Sequence, residues 1–383
     1  MIYADNAATT KISDMAFENM LPFLREEYGN ASSQYSYGTK ARRAIVRSRQ
    51  QVAVAIGATP SEITFTSGGS EANSWVLRSV AEVYCSEAVH IITSSIEHHS
   101  VLNACHVLEQ YGVEVTYLPV DGNGRVSVND VKLAIKPTTK LVSIMFANNE
   151  IGTIQPIEEI GKLLNERGIL FHTDAVQAVG HIPIDVHGLQ IDFLTASAHK
   201  FNGAKGTGIL YKRSGLKLPP LVLGGKQEQG LRGGTENVAG IVALGCALEE
   251  SVANIIEMSE ALYDLVEITI KRLKESIPEI CINGEDTKRL PGIVSATFPY
   301  VSGESIMHLL DMKGICISTS SACNSGNDMP SHVLLALGLN EQQAKSTIRI
   351  SYGRYNTIKE VEIVVETILD IYHKIIENCN VEK

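Results

Sequence analysis

Short runs of β-branched and aromatic residues alternate with longer stretches of helical period through the first half of the chain. Glu62–Thr66, Val89–Thr93, Val113–Leu118, Leu141–Phe146, Ile169–Thr173, Phe193–Ala196 and Gly208–Tyr211 read as strands. Ser70–Val83, Ser100–Tyr111 and Ile157–Arg167 read as helices between them. This alternation predicts an α/β domain whose mainly parallel seven-stranded sheet is covered on both faces. A glycine-rich turn separates the last two runs, which allows an antiparallel strand there. After about Val238 the pattern changes. One long helical stretch is expected over Val238–Lys274, then strands at Glu279–Ile282, Ile293–Phe298, Ile315–Ser318 and Thr347–Ser351, and a final helix over Ile358–Asn378. That second half predicts a smaller α+β unit joined to the first through a helix.

Composition narrows the partners. The chain has 383 residues, a formal charge of −10, 44% hydrophobic residues and 20% charged ones, as in ordinary soluble proteins. No basic tract offers a footprint for nucleic acid or an anionic membrane, so neither is expected as a direct partner. The first residues, MIYADNAATT, have neither a basic start nor an apolar run, and no stretch is long and apolar enough to span a bilayer. The seven cysteines are scattered, with no CxxC spacing. No disulfide framework and no metal site is expected, and a reducing cytoplasm is the expected compartment.

Several polar clusters follow strands, where open α/β sheets bind ligands. In Thr195–Gly208 (TASAHKFNGAKGTG), Lys200 stands after a strand among small residues that let a planar ligand approach. A lysine shielded from water can form a Schiff base, although most lysines are simply solvated. Upstream, Asp174 closes the run ILFHTD, where a carboxylate suits a pyridinium nitrogen as well as a helix cap. Phe65–Asn73 (FTSGGSEAN) passes from strand to helix through glycines, a turn that can cradle an anion or merely cap a helix. His98, in IEHHS, can stack on a planar ring and exchange protons, or be an ordinary polar residue at a helix start. Cys323 lies in ISTSSACNSGN, a small and polar setting that reads as an exposed loop, unlike the apolar surroundings of most other cysteines.

TSGGSEAN, SIEHHS, FANNEIG, HTDAVQA and SAHKFNGAKGTG, in this order and spacing, resemble the cysteine desulfurases of the NifS/IscS type. These belong to the class V aminotransferases, which use pyridoxal 5'-phosphate. The likeness runs from DNAATT at Asp5–Thr10 to STIRISYGR at Ser346–Arg354. It implies the fold type I of pyridoxal-phosphate enzymes, with a large domain at 15–255 and a small one formed by 1–14 and 256–383 that carries the cysteine loop.

The resemblance also implies roles. Lys200 would be joined to the cofactor aldehyde, Asp174 would partner its ring nitrogen, and His98 would stack on the ring and take part in catalysis. Asn149 and Gln177 would lie on the phenolic oxygen side, Asn149 also near substrate. Gly69, Ser70, Ser197 and His199 would cradle the phosphate. Thr235 would reach the phosphate of a neighbouring subunit, which implies a homodimer. Arg349 would clamp the carboxylate of L-cysteine, a bidentate task suited to a guanidinium. Cys323 would carry the persulfide to an acceptor protein, such as an iron–sulfur scaffold or a tRNA-thiolation enzyme.

The chain departs from the family pattern at Ala198, Ala204, Tyr35 and Ser320; Ser320 replaces a usual glycine and stiffens the loop. The spacing from Cys323 to Pro330 resembles the longer-loop NifS/IscS group. A selenocysteine lyase or an aminotransferase is the alternative within the class, and the latter needs no nucleophile at position 323. A non-catalytic sulfur carrier would be expected to lack Lys200 or Asp174.

Overall fold

The computed structural model describes residues 1–319 and 329–381, with only the backbone described for 379–381. Its largest sheet has seven strands, in the spatial order Ile63–Thr66, Gly208–Lys212, Phe193–Ser197, Leu170–Asp174, Thr139–Ser143, His90–Ser94 and Glu114–Leu118. Gly208–Lys212 runs antiparallel to both neighbours, and every other pairing is parallel. This is the expected α/β architecture. The strands Ile63–Thr66, His90–Ser94 and Phe193–Ser197 are buried throughout, as a sheet covered on both faces requires.

The covering helices follow from their apolar spacing. Ile157–Asn165 buries Ile157, Ile160, Gly161 and Leu164 on one face and carries Glu158 and Glu159 in its first turn, where carboxylates favour the helix dipole. Two helices that the sequence reading did not pick out, Asp14–Arg25 and Ser36–Ile56, pack with Val238–Ala253.

The structure corrects three boundaries. The expected helix over Val238–Lys274 is two helices, Val238–Ala253 and Ile255–Ser276, bent by 74° at Asn254. The first is apolar nearly all round and buried against the large core. The second is amphipathic and buries Leu262, Leu265, Val266, Thr269, Ile270 and Leu273 against the smaller sheet. A straight rod could not serve both surfaces. The fourth strand in chain order of the large sheet is Thr139–Ser143 rather than Leu141–Phe146. Ile144 and Phe146 still donate to the carbonyls of His172 and Asp174 as the chain leaves the sheet. The run Ile315–Ser318 divides into Ile315–Cys316, parallel to Ile2–Tyr3, and Ser318–Thr319, antiparallel to Thr347–Ser351.

The smaller four-stranded sheet has the order Ser318–Thr319, Thr347–Ser351, Ile293–Thr297, Cys281–Ile282 and is antiparallel throughout. Its apolar residues form a cluster with Ala4 and with the helices Ile255–Ser276 and Ile358–Val381. Among the described residues, no single helix is long and apolar enough to cross a membrane.

Candidate active site

Five strands of the large sheet that share one direction point their carboxyl ends at a cavity of about 760 Å³. Ile63–Thr66 leads into Gly69 and Ser70, the first turn of the helix Gly69–Val83. His90–Ser94 leads to His98, the N-cap of His99–Gln110. Thr139–Ser143 leads to Asn149, Leu170–Asp174 ends on Asp174, and Phe193–Ser197 ends on Ser197 and turns through Ala198–Lys200. Gly69, Ser70, His98, Asn149, Asp174, Gln177, Ser197, His199, Lys200 and Arg349 all line this one cavity.

Asp174 is buried. Asn73 Nδ2 donates to its Oδ2 at 2.6 Å and the Val176 amide to its Oδ1 at 3.0 Å. Asn73 is fully buried and also accepts from Thr195 Oγ1. Lys200 is half-buried, and its ammonium donates to the carbonyls of Ala7 (2.7 Å) and Ala8 (2.9 Å). Gln177 donates to the same Ala7 carbonyl at 2.9 Å, and His199 Nδ1 lies 3.1 Å from Thr9 Oγ1. The segment Asp5–Thr9 is therefore part of the cavity wall.

The first-turn amides of a helix have no intrahelical acceptor, which makes the start of Gly69–Val83 favourable to an anion. Close packing there demands glycine. A Cβ on Gly69 would come within 2.6 Å of Val176 Cγ2, and one on Gly208 within 2.6 Å of Gly68 Cα. Burial, followed by the charges of Lys200 and Lys205, lowers the pKa of His199 to about 4, so this side chain is neutral near pH 7.

Arg349 lies in the middle of Thr347–Ser351 and is 4% exposed. Its Nη2 donates to Asp5 Oδ1 at 2.8 Å and its Nη1 to the Asn149 carbonyl at 3.1 Å. Its buried Nε has no partner among the described residues. Asn149 thus holds Arg349 through its backbone.

Residues 2–364 match the model of the aminotransferase class-V family. Over 374 residues the chain is 50% identical to the cysteine desulfurase IscS of Methanosarcina thermophila, covering 98% of this chain and 92% of that protein. The chain belongs to the class-V aminotransferases and, within them, to the cysteine desulfurases. A solved NifS-like protein superposes with a TM-score of 0.91 at 39% identity, covering 97% of this chain and 98% of the other. A solved structure described as SspA in complex with cysteine gives 0.83 at 39% identity, covering 93% and 100%.

Among the described residues, one of the family's motif positions, Thr235, does not line the main cavity. Thr235 is exposed and lines a separate space of about 70 Å³ with Arg232 and Glu228. Ser67 and Gly206 border both spaces. Cys323 lies outside the described residues; Ser318, just before that segment, lines the main cavity. The structure adds Asp5, Asn73 and Ser100 to the lining. All three lie inside motifs named from the sequence, but nothing in their local pattern marks Asp5 as the partner of Arg349, Asn73 as that of Asp174, or Ser100 as that of Asn73.

Proposed function

We propose that this cysteine desulfurase converts L-cysteine to L-alanine and leaves the sulfur as a persulfide on Cys323. In this reading pyridoxal 5'-phosphate is joined to Lys200, two copies of the chain form a homodimer in the cytoplasm, and the sulfur passes to an acceptor protein. The unit 15–255 would bind the cofactor, and 1–14 with 256–383 would present Arg349 and the cysteine. One observation carries the reading: Lys200, Asp174 and Arg349 line a single cavity.

The residues present fit the cofactor. A half-buried lysine suits its aldehyde, a buried carboxylate its ring nitrogen, and the helix start with Gly69, Ser70, Ser197 and His199 its phosphate. When bound, the cofactor supplies an electron sink for the carbanion formed at the substrate Cα.

The chain's own residues do the rest. Arg349 binds the substrate carboxylate, with Asp5 and the Asn149 carbonyl fixing its plane. Lys200 Nζ takes the Cα proton, and the carbonyls of Ala7 and Ala8 mark where the ammonium rests. His98, in the lining of the same cavity, would cover the cofactor's ring and help exclude water. Cys323 Sγ then attacks the substrate sulfur. The new S–S bond forms as the Cβ–S bond breaks, so cysteine and a thiol become alanine and a persulfide with no external oxidant.

The test is formation of alanine and sulfide from L-cysteine with a thiol reductant. Cys323→Ala is expected to abolish sulfide release while the cofactor's visible absorbance persists, and unchanged release would overturn the assignment. Colourless protein that refuses added pyridoxal phosphate would sink the reading as a whole.

A further inference from the structure

His98 sits at the end of a hydrogen-bond chain whose polarity can be followed from one terminus. Asp174, as a carboxylate, only accepts, so the atom of Asn73 that meets its Oδ2 at 2.6 Å is the Nδ2 donor. The same Nδ2 meets Ser100 Oγ at 2.9 Å, and Asn73 Oδ1 faces the Thr195 hydroxyl. With its oxygen already accepting from Asn73, Ser100 directs its own proton to His98 Nδ1, 2.8 Å away. The Ser100 backbone amide points at the same nitrogen at 3.1 Å. Two donors converging on Nδ1 leave no room for a proton there.

We propose that Ser100, aimed by Asn73, is a positioning residue that locks His98 in its neutral Nε2–H tautomer. The inference rests on the reading of His98 as a residue of the active site and gives it a definite role. The ring can stack and donate from Nε2, and it cannot become an imidazolium without breaking two hydrogen bonds. The chain ties that state to the same Asn73 that orients Asp174.

The surroundings agree. Burial holds His98 below the ordinary histidine range; Lys200 and His99 push the same way and Asp174 opposes them. The ring of His332, from the helix His332–Ala336, lies 4.7 Å from that of His99 at a tilt of 45°, and burial lowers its pKa, so it adds little positive charge.

Proton–nitrogen correlation spectra of the holoenzyme carrying 15N-histidine test this directly. Wild type is expected to show His98 as Nε2–H at neutral pH and to titrate below the ordinary histidine range. Ser100→Ala is expected to raise the His98 pKa by roughly one unit, tenfold in proton affinity, the worth of one hydrogen bond. The acid limb of the kcat–pH profile is expected to move upward with it, and Ser100→Thr, which keeps the hydroxyl, to restore both. An Nδ1–H tautomer or an imidazolium in wild type at neutral pH would overturn the proposal, as would a Ser100→Ala protein whose His98 titrates as in wild type. These spectra report on the resting protein. Failure to release sulfur from cysteine would therefore sink the desulfurase reading and leave this one standing.

Discussion

On the sheet side of the cavity, Asp174, Asn73, Thr195, Ser100 and His98 form a hydrogen-bonded network in which Asn73, the residue that joins three of the others, and Thr195 are fully buried. Elsewhere in the lining, Arg349 is held by Asp5 and by the carbonyl of Asn149, so three distant stretches of chain meet at one guanidinium. The first arrangement is built from two neighbouring strands, Leu170–Asp174 and Phe193–Ser197, and the starts of the helices Gly69–Val83 and His99–Gln110, and its hydrogen bonds close within the large sheet and its helices. The second depends on the smaller sheet, the first residues and the large sheet being packed together. Damage to the sheet side should therefore appear in the chemical step, and damage around Arg349 in the capture of substrate.

The largest effect is expected at Lys200. Lys200→Ala removes the group proposed both to hold the cofactor and to move the Cα proton. Alanine formation should fall at least about a thousandfold, within the range of general acid–base catalysis. The visible absorbance of the lysine-bound cofactor should vanish in the same protein. Retained turnover would show that the sheet side does not run the chemistry.

Arg349→Lys keeps the charge and loses the planar fork. KM for cysteine is expected to rise roughly 10–100-fold, the worth of a charge-assisted hydrogen bond, with a smaller change in kcat. A fall in kcat at constant KM would erase the contrast between the two parts of the lining.

A second arginine–carboxylate pair serves as a comparison. Arg49 donates two bonds to Glu228, at 2.8 and 2.6 Å, and both side chains are largely buried. Glu228 also accepts from the Phe65 amide, and it holds a left-handed backbone at φ 46° next to Gln229 at 59°. Glu228→Ala would leave Arg49 buried without its partner, at a cost of about 3–5 kcal/mol. The urea midpoint should fall accordingly. Here the expected loss is in stability, whereas at Arg349 it is in substrate capture.

How far the sequence went follows the same division. On the sheet side, the residues at strand ends and in the turns after them were legible, because small and polar residues after an apolar run form a local pattern. Lys200, Asp174, His98, Gly69 and Ser70 were found that way, and all line one cavity. Asp5 and Asn73 were quoted within motifs but given no role, because what they do depends on Arg349 and Asp174, distant in sequence. The break at Asn254 was missed for a related reason. Helical period continues across it, and only the presence of two different surfaces to cover makes the chain turn.

The smallest effect expected is a change in pH dependence next to the network. Glu97 is fully buried. It accepts from Ser94 Oγ at 2.6 Å and from the Met145 amide at 2.8 Å, both at Oε1, while its Oε2 has no partner among the described residues. Burial pushes its pKa up to about 8, and Asp174 adds to the rise against those two hydrogen bonds. The folded protein therefore keeps a proton here that the unfolded chain gives up near the ordinary carboxyl pKa. The resulting stability is complete below the unfolded pKa of 4.5 and is lost as pH rises through about 8. Glu97→Gln, neutral and nearly isosteric, should flatten that decline, making the variant's urea midpoint less sensitive to pH across this window than that of wild type. If both proteins decline in parallel, Glu97 is ionised in the fold, and the interior behind His98 is more polar than its packing indicates.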